Sequence, residues 1–266
     1  NLHYWNDAAN RIDAVRYVHV ADPVTELTRF RAGDLDITYT VPPGEVARLE
    51  RELPGQLRIA PHVGVYYYGY ALDLPPFRDA QKLRQALAMA VDREVLTQQV
   101  LGDGERPAYG WVPDGVAGHE PQRFEWASLD RDARNALARR LYAEAGYSAG
   151  KPLKVELRTS KSPVHDRIAL AVTAMWKETL GAEVRLRSED FRVLKSAIDA
   201  REAVLFRGSW LGDYNDAYSF LQVLKGGFGI NLPRYASDAY DMALVAAASA
   251  SGADRAAHLA AAERQL

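Results

Sequence analysis

The sequence contains no cysteine among its 266 residues, and this absence excludes disulfide bonds, thiolate catalysis and cysteine-ligated zinc. It also lacks an apolar run of the roughly 18 residues that a membrane-spanning helix needs. The longest apolar candidates are interrupted by charged pairs at Asp92–Arg93 and Lys177–Glu178. The printed chain is therefore predicted not to cross a membrane.

Neither sign of charge is in clear excess, because 33 basic side chains nearly balance 35 acidic ones. The sequence has no block of lysine and arginine that could follow a phosphate backbone, so nucleic acid is not an expected partner. Hydrophobic residues make up 48% of the chain and charged residues 26%, which is typical of a globular protein with a buried core.

The signatures of common catalytic and cofactor sites are also missing. No two histidines have the one-turn helical spacing of paired ligands, so we expect no metal site. The glycine-rich segment 226–229 lacks the helix start and the lysine of a phosphate-binding loop, and we expect no cofactor. Ser209 is not in a nucleophile elbow, because Arg207 occupies the position of the first required glycine. These absences argue against an enzyme.

The first residues, Asn1–Asn6, include neither an initiator methionine nor the basic start of a signal peptide. We interpret both ends of the sequence as cut. A signal peptide is then expected to lie outside the printed residues.

Short extended runs alternate with helical patterns along most of the chain, which predicts an α/β fold with mixed sheets flanked by helices. A break near residues 62–76 predicts two lobes, an incomplete first lobe at residues 1–64 and a C-terminally truncated second lobe at 65–266. The proline- and glycine-containing segment 102–128 is predicted to be a functional loop. The predicted strands are Arg16–Val20, Leu35–Tyr39, Leu57–Ile59, Val63–Leu72, Leu153–Thr159, Ala182–Ser188 and Val204–Arg207.

The segment 207–216 follows a predicted buried strand and contains aromatic, glycine and acidic residues close together. Ligands of α/β proteins bind at such strand ends. One interpretation is that Asp213 holds a ligand cation while Trp210 and Tyr214 form the walls of the pocket. The other is that Asp213 and Asn215 make a turn and Trp210 belongs to the core. Composition alone leaves both open.

Five segments, in this order, resemble those of the periplasmic oligopeptide-binding proteins of bacterial transporters. These proteins are extracytoplasmic solute-binding proteins with an enlarged two-lobe fold, the periplasmic-binding-protein-like fold, so the resemblance implies that fold here. The resemblance covers nearly the whole chain. The segments are Asn1–Asn6, Phe30–Asp36, Pro76–Arg93, Leu141–Tyr147 and Trp176–Gly181.

The resemblance implies roles for individual residues. Asp213, with Trp210 beside it, matches the aspartate that pairs with the α-ammonium group of a bound peptide. His165 and Arg207 are similar to residues that contact the peptide's carboxylate, and a guanidinium suits a bidentate grip. Tyr39 matches a tyrosine near the peptide backbone. Without the resemblance, the sequence predicts that His165 lies at a helix start, Arg207 at a strand end and Tyr39 in the core.

Two positions depart from the family pattern. Phe191 stands where a tryptophan is common, and it remains a ligand-contact candidate. Ile198 stands where some members carry an arginine, which leaves His165 and Arg207 as the carboxylate candidates. Peptide length therefore stays open, from dipeptides to cell-wall peptides.

The function that the resemblance implies is capture of short peptides by hinge closure of two lobes, followed by delivery to an ABC-transporter permease in the inner membrane. We then expect a monomeric periplasmic receptor that is not an enzyme, and the printed portion is expected to bind weakly or not at all alone. Two alternatives remain: the same fold binding a nickel chelate or a sugar, and a hydrolase using Asp213 with His165.

Overall fold

The computed structural model describes residues 3–60 and 62–266, so Asn1 and Leu2 of the first family segment lie outside the described residues. The chain divides into two compact units, Asn1–Leu57 and Arg58–Leu266. The lobe boundary that the sequence places between residues 64 and 65 stays a prediction. No helix among the described residues has the length and apolar character needed to cross a membrane.

The first unit contains two α-helices, α1 (Pro23–Arg31) and α2 (Val46–Glu52), and a 3-10 turn at Asp7–Ala9. Helix α1 begins at Pro23, because the Asp22 side chain accepts a hydrogen bond from the Thr25 N–H and proline suits the first helical position. Gly33 follows the end of the helix with a φ of 80°, a backbone conformation that glycine adopts without strain.

The strands predicted at Arg16–Val20, Leu35–Tyr39 and Leu57–Ile59 are wrong, since none of these segments is a strand in the described chain. A strand requires a hydrogen-bonded neighbour, and these segments pair with no other described segment. Their apolar side chains are correspondingly exposed, as Tyr17 at 95% and Ile37 at 83% illustrate. Local alternation of residue types does not determine whether a partner strand is present.

The second unit is built on one mixed sheet of four strands in the order β1-β4-β2-β3. The strands are β1 (Gly64–Tyr70), β2 (Lys154–Ser160), β3 (Glu183–Glu189) and β4 (Leu205–Leu211). Strand β4 pairs antiparallel with β1 and parallel with β2, and β2 pairs parallel with β3. The predicted α/β fold with a mixed sheet is therefore confirmed.

One face of the sheet is covered by the helices α3 (Gln81–Met89), α5 (Arg131–Glu144) and α6 (Pro163–Leu180). Their buried residues form the larger core with Leu157 of β2 and Leu205 of β4. Trp176 of α6 is 1% exposed and donates an indole N–H to the Leu87 carbonyl at 2.8 Å, so α3 and α6 are joined inside this core. The short helix α4 (Arg93–Val95) runs into a π-helical turn at Leu96–Leu101.

The opposite face packs against the helices α7 (Phe191–Asp199), α8 (Tyr218–Leu221), α9 (Asp238–Ser249) and α10 (Gly252–Glu263). Ile198 of α7 is 6% exposed and clusters with Phe206 of β4. The isoleucine that departs from the family pattern is thus a core residue. Val65, Tyr67 and Trp210 belong to a second cluster with α8, α9 and α10.

Segment 102–128 is irregular except for a 3-10 turn at Glu125–Ser128, as predicted. It is anchored to α10, because the Glu263 carboxylate accepts hydrogen bonds from the backbone N–H groups of Val112 and Gln122. The Trp111 indole N–H also bonds the Phe220 carbonyl at 2.8 Å. This loop is therefore held on the unit that carries strand β4.

Candidate functional site

Strand β4 is longer than the sequence predicted, running to Leu211 rather than ending at Arg207. Because side chains alternate along a strand, Arg207, Ser209 and Leu211 share one face while Trp210 lies on the other. In the antiparallel register with β1, Arg207 is opposite Tyr68, and Ser209 is opposite Tyr66. Arg207, Ser209 and these two tyrosines therefore meet on one face of the sheet.

The Arg207 guanidinium lies over the Tyr66 ring, with 4.9 Å between its central carbon and the ring centroid. Its Nη2 donates a hydrogen bond to the Ser209 hydroxyl at 2.8 Å. Its Nε is shielded from solvent and has no hydrogen-bond partner. No carboxylate in residues 3–60 or 62–266 forms an ion pair with this guanidinium. The arginine thus keeps unused capacity to bind an anion.

His165 lies beside this arginine, in the first turn of α6. Its ring centroid is 5.6 Å from that of Tyr66, and its Nδ1 is buried without a hydrogen-bond partner. Burial, reinforced by the positive charge of Arg207 and opposed by Asp166, lowers the pKa of His165 to about 4. The side chain is therefore neutral at pH 7, so of the two predicted carboxylate contacts Arg207 is the cationic one.

The buried hydroxyl groups of Tyr66 and Tyr68 complete this cluster, where they interact with each other and with the positive charge of Arg207. Burial raises the pKa of both hydroxyls, so both remain neutral and able to donate. Sequence reasoning treated the three consecutive tyrosines only as part of a strand. Their spacing could have indicated the cluster, because Tyr66 and Tyr68 are two residues apart on a strand and so lie on the same face of the sheet.

Asp213 lies in the turn after β4, where its backbone N–H donates to the Ser219 hydroxyl at 2.9 Å. The Asp213 side chain is exposed, and its carboxylate makes no hydrogen bond or ion pair within the part of the chain that the structure describes. Asp216, three residues on, is by contrast engaged by both terminal nitrogens of Arg255, each at 2.8 Å. Asp213 is therefore the carboxylate of this turn that is free to receive a cation.

Trp210 supports this turn from the other face of the sheet. Its indole N–H donates to the Ser219 carbonyl at 2.8 Å, and its ring packs into the cluster with Tyr67 and the C-terminal helices. Ser219 is fully buried and thus links Trp210 to the backbone of Asp213. The structure brings these two predicted residues together through Ser219.

The other predicted residues are exposed. Tyr214 is 50% exposed in the turn beside Asp213, and Phe191 is 62% exposed at the start of α7. Tyr39 belongs to the first unit, is 90% exposed, and its backbone N–H donates to the Glu26 side chain at 2.9 Å. The expectation of a core aromatic at position 39 is wrong, because this side chain is solvent-accessible.

The cationic cluster lies on β4, and the free carboxylate lies in the turn that follows this strand. Extended backbone advances about 3.3 Å per residue, so the six residues from Arg207 to Asp213 span at most roughly 20 Å. The arrangement is suited to a short extended ligand with a negative charge at one end and a positive charge at the other.

The mixed sheet thus offers a guanidinium on β4 and a carboxylate in the turn after it, groups that can fix the orientation of a small charged ligand. No cluster of three or more potential metal ligands occurs in residues 3–60 and 62–266. The chain belongs to the bacterial extracellular solute-binding proteins, family 5, whose middle-region model matches residues 1–231.

Individual relatives agree with this assignment. The chain is 36% identical to the periplasmic murein peptide-binding protein MppA of Escherichia coli, over 94% of this chain and 46% of that protein. It is 36% identical to the probable deoxycholate-binding periplasmic protein YgiS of the same species, over 90% of this chain and 44% of that protein.

Solved structures share the fold. The crystal structure of Haemophilus influenzae OppA in complex with the peptide RPPGFSPFR matches with a TM-score of 0.85 and 31% identity, covering 92% of this chain and 48% of that one. The chain spans about half the length of the relatives it matches. The fold is therefore that of periplasmic binding proteins of the oligopeptide type.

Proposed function

We propose that this chain carries the ligand-binding strand of a receptor for short peptides that supplies an ABC importer. The observation that supports this most directly is the pair of unused charges flanking β4, the Arg207 guanidinium and the Asp213 carboxylate. A peptide with free ends carries a carboxylate and an ammonium group at matching positions. Relatives named for murein peptides and oligopeptides support the same ligand class.

In this proposal the peptide lies extended along the face of β4. Its carboxylate meets Arg207, with neutral donors from His165, Tyr66 and Tyr68, and its ammonium group meets Asp213. Leaving either charge buried and unpaired costs several kcal/mol, so a ligand lacking one end is strongly disfavoured. Closure of the other lobe of the whole protein over this face would bury the peptide and commit it to transport.

The remaining parts of the proposal concern the whole protein. It acts in the periplasm as a monomer, delivers its ligand to an inner-membrane permease and performs no chemistry on it. The periplasmic names of the relatives support the location, and their solute-binding class supports the absence of catalysis. Phe191, Tyr39 and Tyr214 are proposed to contact the ligand or its side chains, because all three are exposed aromatic residues.

Isothermal titration calorimetry on the longest form of the protein that its gene encodes tests the proposal. The probes are oligoalanines of two to five residues with free ends, and the same peptides acetylated at the amino end or amidated at the carboxyl end. We expect at least one peptide with free ends to bind. Each blocking group should weaken binding of that peptide by about 30-fold or more, because it removes one charge-assisted contact.

Two further arms address the alternatives. Binding of deoxycholate, a nickel chelate or a sugar without binding of any peptide would overturn the proposed ligand class. Deoxycholate is a useful probe because it has a carboxylate but no ammonium group. Mass spectrometry of the bound peptide after overnight incubation should show it intact, and cleaved peptide would show an enzyme instead.

A further inference from the structure

Ser209 lies beside the proposed ligand contacts but has no role in the proposed function. It lies in the middle of β4, is exposed, and shares a face with Arg207. An exposed serine in the interior of a strand contributes little to packing, and serine is not favoured there by propensity. Its hydroxyl makes one notable contact, the hydrogen bond accepted from Arg207 Nη2 at 2.8 Å.

The register shows what this contact does to the arginine. The residue directly opposite Arg207 is Tyr68, yet the guanidinium lies over the ring of Tyr66, the residue opposite Ser209. The Arg207 side chain therefore leans along the strand by one cross-strand pair, in the direction of Asp213. A displacement of two residues corresponds to about 7 Å along an extended strand.

Few other contacts hold the guanidinium in that position. It forms no ion pair within residues 3–60 and 62–266, and besides Ser209 it is held by its contacts with the ring and hydroxyl of Tyr66. The long arginine side chain loses rotamer entropy when it is held in one position, and its contact with the Tyr66 ring is a weak attraction at a partly exposed site. The hydrogen bond to Ser209 therefore adds to the Tyr66 contact, and together they oppose the entropy cost of the leaning conformation.

We propose that Ser209 is a positioning residue that draws the Arg207 guanidinium toward Asp213 and so sets the length of peptide the receptor prefers. The inference rests on the proposed function, in which Arg207 and Asp213 hold opposite ends of the ligand. With the hydroxyl present, the cation lies level with the Tyr66–Ser209 pair, four residues from Asp213. Without it, the guanidinium is free to return toward its own cross-strand pair, which lengthens the gap by up to two residues of extended peptide.

The test compares Ser209→Ala with wild type over oligoalanines of two to six residues, by calorimetry on the longest form the gene encodes. Ser209→Ala should weaken binding of the peptide that wild type binds most tightly by about tenfold. It should also shift the ratio of affinities at least tenfold in favour of peptides that are longer by one or two residues. Ser209→Thr retains a hydroxyl at the same place and should restore the wild-type preference.

Ser188→Ala is the matched control, since it removes an exposed serine from β3 of the same sheet and should leave the preference unchanged. Equal weakening of all lengths, or an unchanged profile, in Ser209→Ala would overturn the inference. So would failure of Ser209→Thr to recover the wild-type profile.

A second readout needs no ligand and separates this inference from the proposed function. Since the positive charge of Arg207 lowers the pKa of His165, release of the guanidinium should raise that pKa by roughly half a unit or more, measured by NMR titration of the imidazole. A pKa unchanged in Ser209→Ala would show that Ser209 does not position Arg207. If no peptide binds the wild-type protein while the pKa moves as expected, the proposed function fails and the positioning role of Ser209 stands without its link to peptide length.

Discussion

The imidazole Nε2 of His119 lies 2.7 Å from the Glu263 carboxylate, with the two side chains only 1% and 2% exposed. The same carboxylate accepts the N–H groups of Val112 at 2.8 Å and Gln122 at 3.1 Å. One glutamate on α10 therefore satisfies three donors of segment 102–128. The long irregular loop is held in place by a buried polar centre, in addition to its apolar contacts.

Replacing this glutamate should destabilise the second unit. Glu263→Ala leaves two buried backbone donors and His119 without an acceptor, and we expect unfolding free energy to fall by about 3 kcal/mol. Urea denaturation followed by tryptophan fluorescence measures this change. Glu178→Ala, an exposed helical glutamate on α6, is the control and should cost less than about 0.5 kcal/mol. Equal effects of the two substitutions would show that the buried centre contributes nothing to stability.

Asp213 and Asp216 provide a matched pair in one turn. Asp213→Asn should weaken a peptide with a free amino end by about 2 to 4 kcal/mol and leave stability unchanged, because no described group contacts the Asp213 carboxylate. It should not weaken an acetylated peptide further. Calorimetry on both peptides provides the test, and equal losses for the two would remove the ammonium role of Asp213.

Asp216→Asn should show the reverse behaviour. Burial by itself would raise the pKa of Asp216. Hydrogen bonds from Arg255 and the Tyr218 N–H outweigh burial and hold this pKa below its ordinary value. The substitution removes the charge from a bidentate pair, so we expect a loss of about 1 to 2 kcal/mol in stability. Discrimination between free and acetylated peptides should persist, which chemical denaturation and calorimetry together can verify.

Much of the second unit could be predicted from sequence because its signals are local. The strands β2 and β3 were predicted to within one residue at each end, since their patterns of apolar residues are local and Gly181 marks the start of the second. Strand β4 was underestimated by four residues. Gly208 and Ser209 have low strand propensity, and only pairing with β1 extends the strand through them.

The candidate site was predictable only in part, for the same reason. Family resemblance identified Asp213, Arg207 and His165 one by one. The contacts of Arg207 with Tyr66 and Ser209 depend on the register between β1 and β4, which no local pattern contains. The neutral state of His165 likewise depends on burial beside a cation from another strand.

Arg207 should lower the folding stability of the protein when no ligand is bound. Its guanidinium is partly buried without a carboxylate partner, so Arg207→Met, which keeps much of the apolar length, should raise unfolding free energy by about 0.5 to 1 kcal/mol. The same variant should lose discrimination between free and amidated peptides. Thermal unfolding and calorimetry check the two effects, and a destabilised variant that still distinguishes the carboxyl ends would contradict both.

His165 should make stability depend on pH. Its pKa is about 4 in the folded protein and about 6.5 when unfolded, so the unfolded chain binds more protons between these values and stability falls as pH decreases from 6.5 to 4. A fully shielded histidine with this shift would contribute about 3 kcal/mol, and partial exposure roughly halves it. Chemical denaturation across this pH range should show a smaller decrease in unfolding free energy for His165→Asn than for wild type. The control is His62→Asn, which replaces an exposed histidine and should follow wild type.

The same histidine should report the binding of a carboxylate. A peptide carboxyl group placed beside His165 favours the imidazolium, so its pKa should rise on binding and the protein should take up a proton between pH 4 and 6.5. Calorimetry in buffers of different ionisation enthalpy at pH 5.5 measures this uptake. An amidated peptide brings no negative charge to the site, so it should bind without uptake if it binds at all. Proton uptake of equal size for both peptides would place the peptide's carboxyl end away from His165 and Arg207.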